Sequence, residues 1–274
     1  EMLKSVAVSS ANDCACALAE HIAGSEAAFV EKMNERAAEL GMENTHFVNC
    51  TGLDDDPAAK DHLTTAYDIA LMSRQLMKNH PQIKDYTTIW MDTVRNGSFG
   101  LSNTNKLVRF YPGATGLKTG FTSGAGYCLS ATAEKDGLGL VAVVMGAETS
   151  KDRFNTCRSL LDFGFAGYAL VTPELPNATV PVTLGKQDWV NAIPATDPIL
   201  LVEKAKKSSI TTQIELLPTV SAPVSKGQRL GTLTIRSGEH TLAEIPLIAA
   251  DVVQKLSYWD VFKQLLRQFF AGKS

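Results

Sequence analysis

The hydrophobic pattern changes period once, near residue 172, and that change fixes the organisation of the chain. Before it, apolar residues recur at three and four in several segments, as amphipathic helices require. After it, Pro173, Pro176, Pro181, Pro194 and Pro198 punctuate short β-branched runs, among them 210–217, 228–235 and 244–248. No helical period returns until about Val252. Such a stretch reads as an all-β domain over 172–256. At 274 residues the chain is long enough for two modest domains.

Within the first 171 residues the reading is more detailed. Ala11 to Ala23 is an alanine-rich helix stopped by Gly24. Ser25 caps a second helix through Phe29, Val30, Met33, Ala37 and Leu40, and Gly41 ends it. Residues 42–60 form a loop broken by Asn49, Gly52, Asp54 to Asp56 and Pro57. Thr64 or Thr65 caps a third helix reaching Asn79, before Pro81. Asn96-Gly97 marks a turn, and 117–121 a strand. Residues 127–133 and 138–145 are strands joined at Asp136-Gly137, a strong hairpin signal. Ser150 to Phe165 returns to helix, with Phe154, Cys157, Leu160 and Leu161 on one face. Helices, a strand meander and a closing helix together predict an α+β domain with an antiparallel sheet, followed by the small all-β domain.

The last segment, 257–274, has a third character. Tyr258, Phe262, Leu265, Leu266, Phe269 and Phe270 fall on one helical face, with Lys263, Gln264, Arg267 and Gln268 on others. It is too short to span a bilayer, but can lie in a membrane interface with its cations toward anionic lipid. The same face could pack on the β domain or join two copies of the chain.

A formal net charge of −3 gives no reason to expect a nucleic-acid partner. No run of eighteen apolar residues is present, and the start at Glu1 shows no signal-peptide pattern. That start fits a trimmed cytosolic protein, or a mature or truncated exported one. The cysteines, Cys14, Cys16, Cys50, Cys128 and Cys157, lack a metal-binding spacing and read as small buried hydrophobes; no metal or organic cofactor is expected.

Two short patterns carry chemistry when taken in order: Ser10-Ala11-Asn12, entering the first helix, and Lys118-Thr119-Gly120, on a strand about a hundred residues later. Alone, the first could be a helix cap and the second a strand end with a turn glycine. Together they supply parts for acyl transfer. Burial and neighbouring cations can depress a lysine pKa until it serves in proton transfer. A serine hydroxyl beside it can relay a proton to a leaving amine, an asparagine amide can hold a substrate amide, and a strand of small residues can pair with an extended peptide.

S-x-N and K-T-G belong to the motif set of β-lactamases and penicillin-binding proteins. More specifically, Ser9-Ser10-Ala11-Asn12-Asp13, Phe29-Val30-Glu31-Lys32-Met33-Asn34, Leu40-Gly41-Met42-Glu43-Asn44-Thr45-His46-Phe47, Thr65-Ala66-Tyr67-Asp68 and Gly116-Leu117-Lys118-Thr119-Gly120-Phe121-Thr122 resemble the D-alanyl-D-alanine carboxypeptidase family. The resemblance covers residues 1 to about 170; the β domain and tail match in arrangement more than in sequence. It implies a partial β-lactamase/transpeptidase-like domain over 1–171, with Ser10, Asn12 and Lys118 catalytic. Thr119, Gly120, Thr122 and Arg153 would bind substrate, Arg153 near its terminal carboxylate. The implied partners are a peptidoglycan stem peptide and β-lactam antibiotics, with the tail on the outer face of the bacterial cytoplasmic membrane.

One departure matters. The family's nucleophile and base come from Ser-x-x-Lys upstream of S-x-N, and these 274 residues contain no Ser-x-x-Lys. The chain is then expected to be a piece of a longer or cleaved protein, or a pseudoenzyme that binds the cell wall without turnover, or an enzyme using Ser10 as nucleophile. Phe121 stands where some relatives carry histidine. A class A β-lactamase needs Glu-x-x-x-Asn between the two motifs, which is absent, and lacks the appended β domain. No histidine sits in a recognisable Ser-His-Asp setting.

Overall fold

The computed structural model describes residues 1–55 and 57–271. It divides into two compact units, 1–166 and 167–274.

The first unit opens with three helices, α1 (Met2–Ser9), α2 (Asn12–Ala23) and α3 (Glu26–Glu39). The sequence gives no sign of α1, which is one short run whose first residues make no side-chain cap. Between α1 and α2 the chain turns at Ser10, whose φ of 59° and ψ of 43° are left-handed. Gly24 ends α2 at φ 83°, and Ser25 caps α3 by accepting from the Ala28 amide at 3.2 Å. Both are where the residue types predict them. The following loop holds a 3₁₀ turn, Pro57–Asp61, where the sequence suggests irregular chain alone.

Thr65 caps α4 (Ala66–Asn79), accepting from the Asp68 amide at 3.1 Å. The Asp68 carboxylate, buried at the start of this helix, accepts from the Asn44 amide at 3.0 Å and the Thr45 hydroxyl at 2.7 Å. It satisfies a loop that would otherwise leave donors buried without partners. A short helix, α5 (Lys84–Thr87), then leads to the β1 (Met91–Val94) and β2 (Phe99–Ser102) hairpin, turned at Asn96-Gly97, and to α6 (Leu107–Phe110).

Next comes the three-stranded antiparallel sheet: β3 (Ala114–Thr122), β4 (Gly126–Lys135) and β5 (Leu138–Ala147), in the order β3-β4-β5. Asp136 and Gly137, at φ 51° and 78°, make the hairpin turn that their types predict. One sheet face packs with α7 (Ser150–Gly167) around Leu107, Leu129, Ala131, Ala142, Phe154, Cys157 and Leu161. Leu160 departs from its expected place on the buried face. It is 46% exposed, because the inward arc of α7 runs through 154, 157 and 161, and 160 lies about 100° from 161 around the helix.

In the second unit, β6 (Tyr168–Val171) pairs with β9 (Leu200–Glu203). The main sheet has six strands in the order β10-β12-β13-β8-β7-β11. They are β7 (Ala178–Thr183), β8 (Trp189–Pro194), β10 (Ile210–Leu216), β11 (Val220–Ser221), β12 (Arg229–Ser237) and β13 (His240–Ala249). All pair antiparallel except β11 with β7. Alternate residues such as Leu233, Ile235, Ile245 and Leu247 point into one core with Val180, Val224 and Val253. Each fully buried aliphatic side chain contributes roughly 1.5–3 kcal/mol. Short of the tail, and apart from a 3₁₀ turn at Lys204–Ser209, its regular structure is all strand, as expected beyond residue 172.

The tail forms α8 (Tyr258–Ala271). Ser257 and Asp260 exchange hydrogen bonds in a capping-box arrangement, Ser257 Oγ accepting from the Asp260 amide and Asp260 Oδ2 from the Ser257 amide. Helical structure thus begins six residues later than the period from Val252 suggests. Tyr258 (97% exposed), Trp259, Phe262, Leu265 and Phe270 are all solvent-facing. The side chains of Gln264, Arg267, Gln268, Phe269 and Ala271, residues 272–274 and Asp56 lie outside the described residues. Among the described residues no helix is long and apolar enough to cross a membrane.

Candidate active site

Antiparallel pairing of β3 with β4 sets the site. Lys118 is opposite Ser130, Thr119 opposite Leu129, and Gly120 opposite Cys128. Ser130 is buried, its hydroxyl 2.7 Å from that of Ser73 on α4, so this part of the sheet is anchored through polar contacts as well as packing. β3 is an edge strand: among the described residues only β4 pairs with it. Its other edge has no strand partner among the described residues, which leaves room for an extended peptide to add to the sheet.

The Lys118 ammonium donates to Ser10 Oγ at 2.8 Å and to the Thr119 carbonyl at 2.7 Å. Two motifs 108 residues apart in sequence therefore meet in one hydrogen bond. Burial pulls the Lys118 pKa down to about 8, and the positive charge of Arg153 pulls in the same direction. Both effects penalise the charged amine. Near neutral pH this lysine can give up or take back a proton at little cost, as an ordinary lysine cannot.

Ser10 is exposed, and its backbone is fixed at the end of α1: its amide donates to the Val6 carbonyl at 3.2 Å, and the next amide, of Ala11, donates to the Ser5 carbonyl at 3.3 Å. A left-handed serine is about 1–2 kcal/mol less favourable than a right-handed one, so α1 and α2 hold the hydroxyl in a conformation it would not otherwise choose. It does not cap α2, as the simplest reading of its position allows; the cap residue is Ala11. Asn12, exposed on the first turn of α2, takes no part in the Ser10–Lys118 hydrogen bond.

The other candidates are placed as follows. Thr119 is 8% exposed, and its hydroxyl donates to Thr104 Oγ1 at 2.7 Å. The Thr122 hydroxyl accepts from the Ala125 amide at 3.0 Å and bonds the Asp54 side chain, lowering the pKa of that carboxyl. Asp54 also accepts from the Gly124 amide at 3.3 Å, so the 49–54 loop supports the turn after β3. Arg153, on α7, is 8% exposed and sends Nη1 to the carbonyls of Gly120 and Cys128, at 2.9 and 3.2 Å. Those two residues face each other across the ladder, so one guanidinium clasps both strands. Its charge also lies over the Tyr127 and Phe154 rings, at 5.3 and 4.9 Å. Nε is buried without a partner.

Two contributors were not singled out as site residues from the sequence. Asp54 stands within the Gly52-Leu53-Asp54 run that follows one of the resembling segments. Thr104 has no signal; it is reached because its amide donates to the Val8 carbonyl of α1 at 3.0 Å. The cysteines also differ from expectation. Only Cys157 is buried; Cys14, Cys16, Cys50 and Cys128 are partly exposed. Burial, with hydrogen bonds to Glu26 and Cys16, pushes the Cys50 thiol up to about 12, so near neutral pH it is held mostly as the thiol.

An antiparallel sheet whose edge strand carries Lys-Thr-Gly, facing a serine at the junction of two helices, defines the α+β penicillin-recognising serine enzymes. The particular family follows from comparison: the D-alanyl-D-alanine carboxypeptidase family profile matches residues 1–149, and that of the penicillin-binding protein 5 C-terminal domain matches 171–255. The chain belongs to this family of low-molecular-mass penicillin-binding proteins. It is 39% identical to the D-alanyl-D-alanine carboxypeptidase DacF of Bacillus subtilis, over 97% of this chain and 69% of that protein. With DacC of Escherichia coli it shares 31% identity, over 99% of this chain and 69% of that one. Among solved structures, penicillin-binding protein 5 of Haemophilus influenzae superposes at a TM-score of 0.69 with 29% identity, covering 93% of this chain and 74% of that one. PBP3 of Streptococcus pneumoniae, described as a peptidoglycan synthesis regulatory factor, gives 0.70 and 28%, covering 92% and 77%.

Proposed function

We propose that this chain carries the second and third active-site motifs of a serine-type carboxypeptidase that removes the terminal D-alanine from peptidoglycan pentapeptides through an acyl-serine intermediate. The observation that carries the reading is the hydrogen bond from Lys118, its pKa lowered, to the hydroxyl of Ser10. In the acylation step the nucleophilic oxygen bonds the penultimate carbonyl carbon, and the C–N bond to the terminal D-alanine breaks. The departing nitrogen needs a proton. The proton of the nucleophilic hydroxyl passes to the lysine paired with it, while Ser10 gives one to the departing nitrogen and takes another from Lys118. Water then adds to the acyl carbon and returns a hydrogen to the nucleophilic serine oxygen as that C–O bond breaks. The proton held by the paired lysine is returned to Lys118 through solvent.

The remaining residues bind and orient. The free edge of β3, through Thr119 and Gly120, pairs with the extended stem peptide. Asn12 holds the peptide amide from the start of α2. Thr122 lies beyond Gly120 on the same strand, and Arg153 supplies positive charge for the terminal carboxylate. The nucleophile and its paired lysine come from a Ser-x-x-Lys segment that is not among these 274 residues. A β-lactam presents a carboxylate and a reactive amide in similar relation, so it takes the same place. The exposed aromatic face of α8 suits a membrane interface outside the cytoplasm, where the peptidoglycan substrate is found.

The test is the intact mass of this chain after incubation with penicillin, beside a version extended upstream. An adduct only on the extended version is the expected result. An adduct on the 274-residue chain would place the nucleophile within it. No adduct on either would favour a binding protein without turnover.

A further inference from the structure

Away from the Ser10–Lys118 pair, two cysteines meet. Cys16 is on α2, one helical turn beyond Asn12. Cys50 is in the loop that follows α3. Their sulfurs are 3.7 Å apart, although the residues are 34 positions apart in sequence. The Cys50 amide donates to Glu26 Oε1 at 3.0 Å, which fixes its backbone against the start of α3.

The loop beyond Cys50 is tightly knit. Asn49 Oδ1 accepts from the Thr51 and Gly52 amides at 3.2 and 2.6 Å, and Asn49 Nδ2 donates to the Leu53 carbonyl at 2.9 Å. Asp54, at its end, holds the Gly124 amide in the turn after β3.

We propose that Cys16 and Cys50 form a disulfide that staples the helix bearing Asn12 to the loop that supports the turn after β3. Both residues are partly exposed, which opens them to approach by a small oxidant. A modest rotation of side chains would bring the sulfurs from van der Waals contact to the bonding distance of about 2.05 Å. The reaction is exchange with a small-molecule disulfide such as oxidised glutathione. Two S–H bonds of the protein and the S–S bond of the oxidant break. One protein S–S bond forms, and the two electrons and two protons leave with the two thiols of the reduced oxidant. The inference rests on the extracytoplasmic reading only for where the oxidant is met. The chemistry itself depends on the contact between the sulfurs.

Cys16, Cys50 and Glu26 also bring their ligand atoms within 4.8 Å of one another, a grouping that could hold a metal ion. The disulfide is favoured because it needs only the two sulfurs already in contact, whereas three ligands leave a tetrahedral ion short of one.

The experiment reads thiols, not activity, so it stands apart from the carboxypeptidase reading. The 274-residue protein is equilibrated in glutathione buffer at about −180 mV, alkylated, and digested without reductant. The expected product is a peptide pair joined through Cys16 and Cys50, with Cys14, Cys128 and Cys157 alkylated. Glu26→Gln should leave that cross-link in place. Reduction should lower the thermal midpoint of unfolding by about 10 °C, as expected for releasing a loop of this length. Recovery of Cys16 and Cys50 as separate alkylated thiols overturns the proposal. So does one equivalent of zinc whose removal by chelator exposes both thiols, and which Glu26→Gln abolishes. A cross-link through Cys14 in place of Cys16 overturns it as well.

Discussion

Lys118 Nζ donates to Ser10 Oγ at 2.8 Å, and this bond joins an edge strand to the junction of two helices. If Lys118 moves protons through it, Lys118→Ala in the enzyme carrying its nucleophile should lower kcat/KM by about 10²–10⁴ with KM little changed. Steady-state kinetics on a D-alanyl-D-alanine peptide would read this. Retention of wild-type kcat/KM would remove Lys118 from the mechanism.

The same lysine makes stability depend on pH. Its folded pKa, about 8, lies below the ordinary value of 10.5. Between these values the unfolded chain binds more protons than the folded one, so stability rises with pH across the window. Below about pH 8 both states are protonated and the cost of burying the charge is fully present, at most about 3 kcal/mol. Urea unfolding at pH 7 and pH 10 should show a gain in the wild type that Lys118→Met lacks. Other titrating groups cancel in the difference between the two proteins.

Arg153 acts on Lys118 by charge and on β3 by hydrogen bonds. Arg153→Met should therefore raise the Lys118 pKa above about 8 and carry the corresponding limb of the pH–rate profile upward. It should also destabilise the fold by about 2–4 kcal/mol, since the Gly120 and Cys128 carbonyls lose their donor. A pH profile left in place, with only stability reduced, would assign Arg153 to structure alone.

Ser10 separates stability from function. At φ 59° glycine is at no steric disadvantage, so Ser10→Gly should be more stable than Ser10→Ala by about 1 kcal/mol, both variants having lost the hydroxyl that accepts from Lys118. It should also cost activity as much as Ser10→Ala does, because both remove the hydroxyl between Lys118 and the leaving amine. A Ser10→Gly variant that keeps full activity would show that the hydroxyl relays nothing.

For the tail, removal of residues 258–274 should release the protein from anionic vesicles in a flotation assay, while the second unit keeps its thermal transition. The exposed Tyr258, Phe262, Leu265 and Phe270 side chains motivate this expectation. Undiminished vesicle binding would exclude α8 as the anchor.

Much was legible without coordinates, because it is written in local chemistry. Ser25 and Thr65 cap helices with their own hydroxyls, and Gly24 takes a backbone conformation that costs other residues. Asp136-Gly137 closes a hairpin, and the prolines and β-branched runs beyond residue 172 allow little but strands. The motifs Ser10-x-Asn12 and Lys118-Thr119-Gly120 could be read in the same way, as residue types in order. Leu160 and the cysteines were misjudged because helical spacing leaves the edges of a buried arc ambiguous, and cysteine is buried or exposed according to its neighbours.

Tertiary structure decided the rest, since each remaining feature depends on atoms distant in sequence. The sequence by itself determined which residues could do acyl-transfer chemistry; it did not determine that Lys118 would be buried beside Arg153, which is what moves its pKa. Nor could it show that Arg153 spends donors on two strand carbonyls, that Thr104 meets Thr119, or that the sulfurs of Cys16 and Cys50 touch. Desolvation, Coulomb interaction and hydrogen bonding act over a few ångströms of space, and only folding decides which residues share those ångströms.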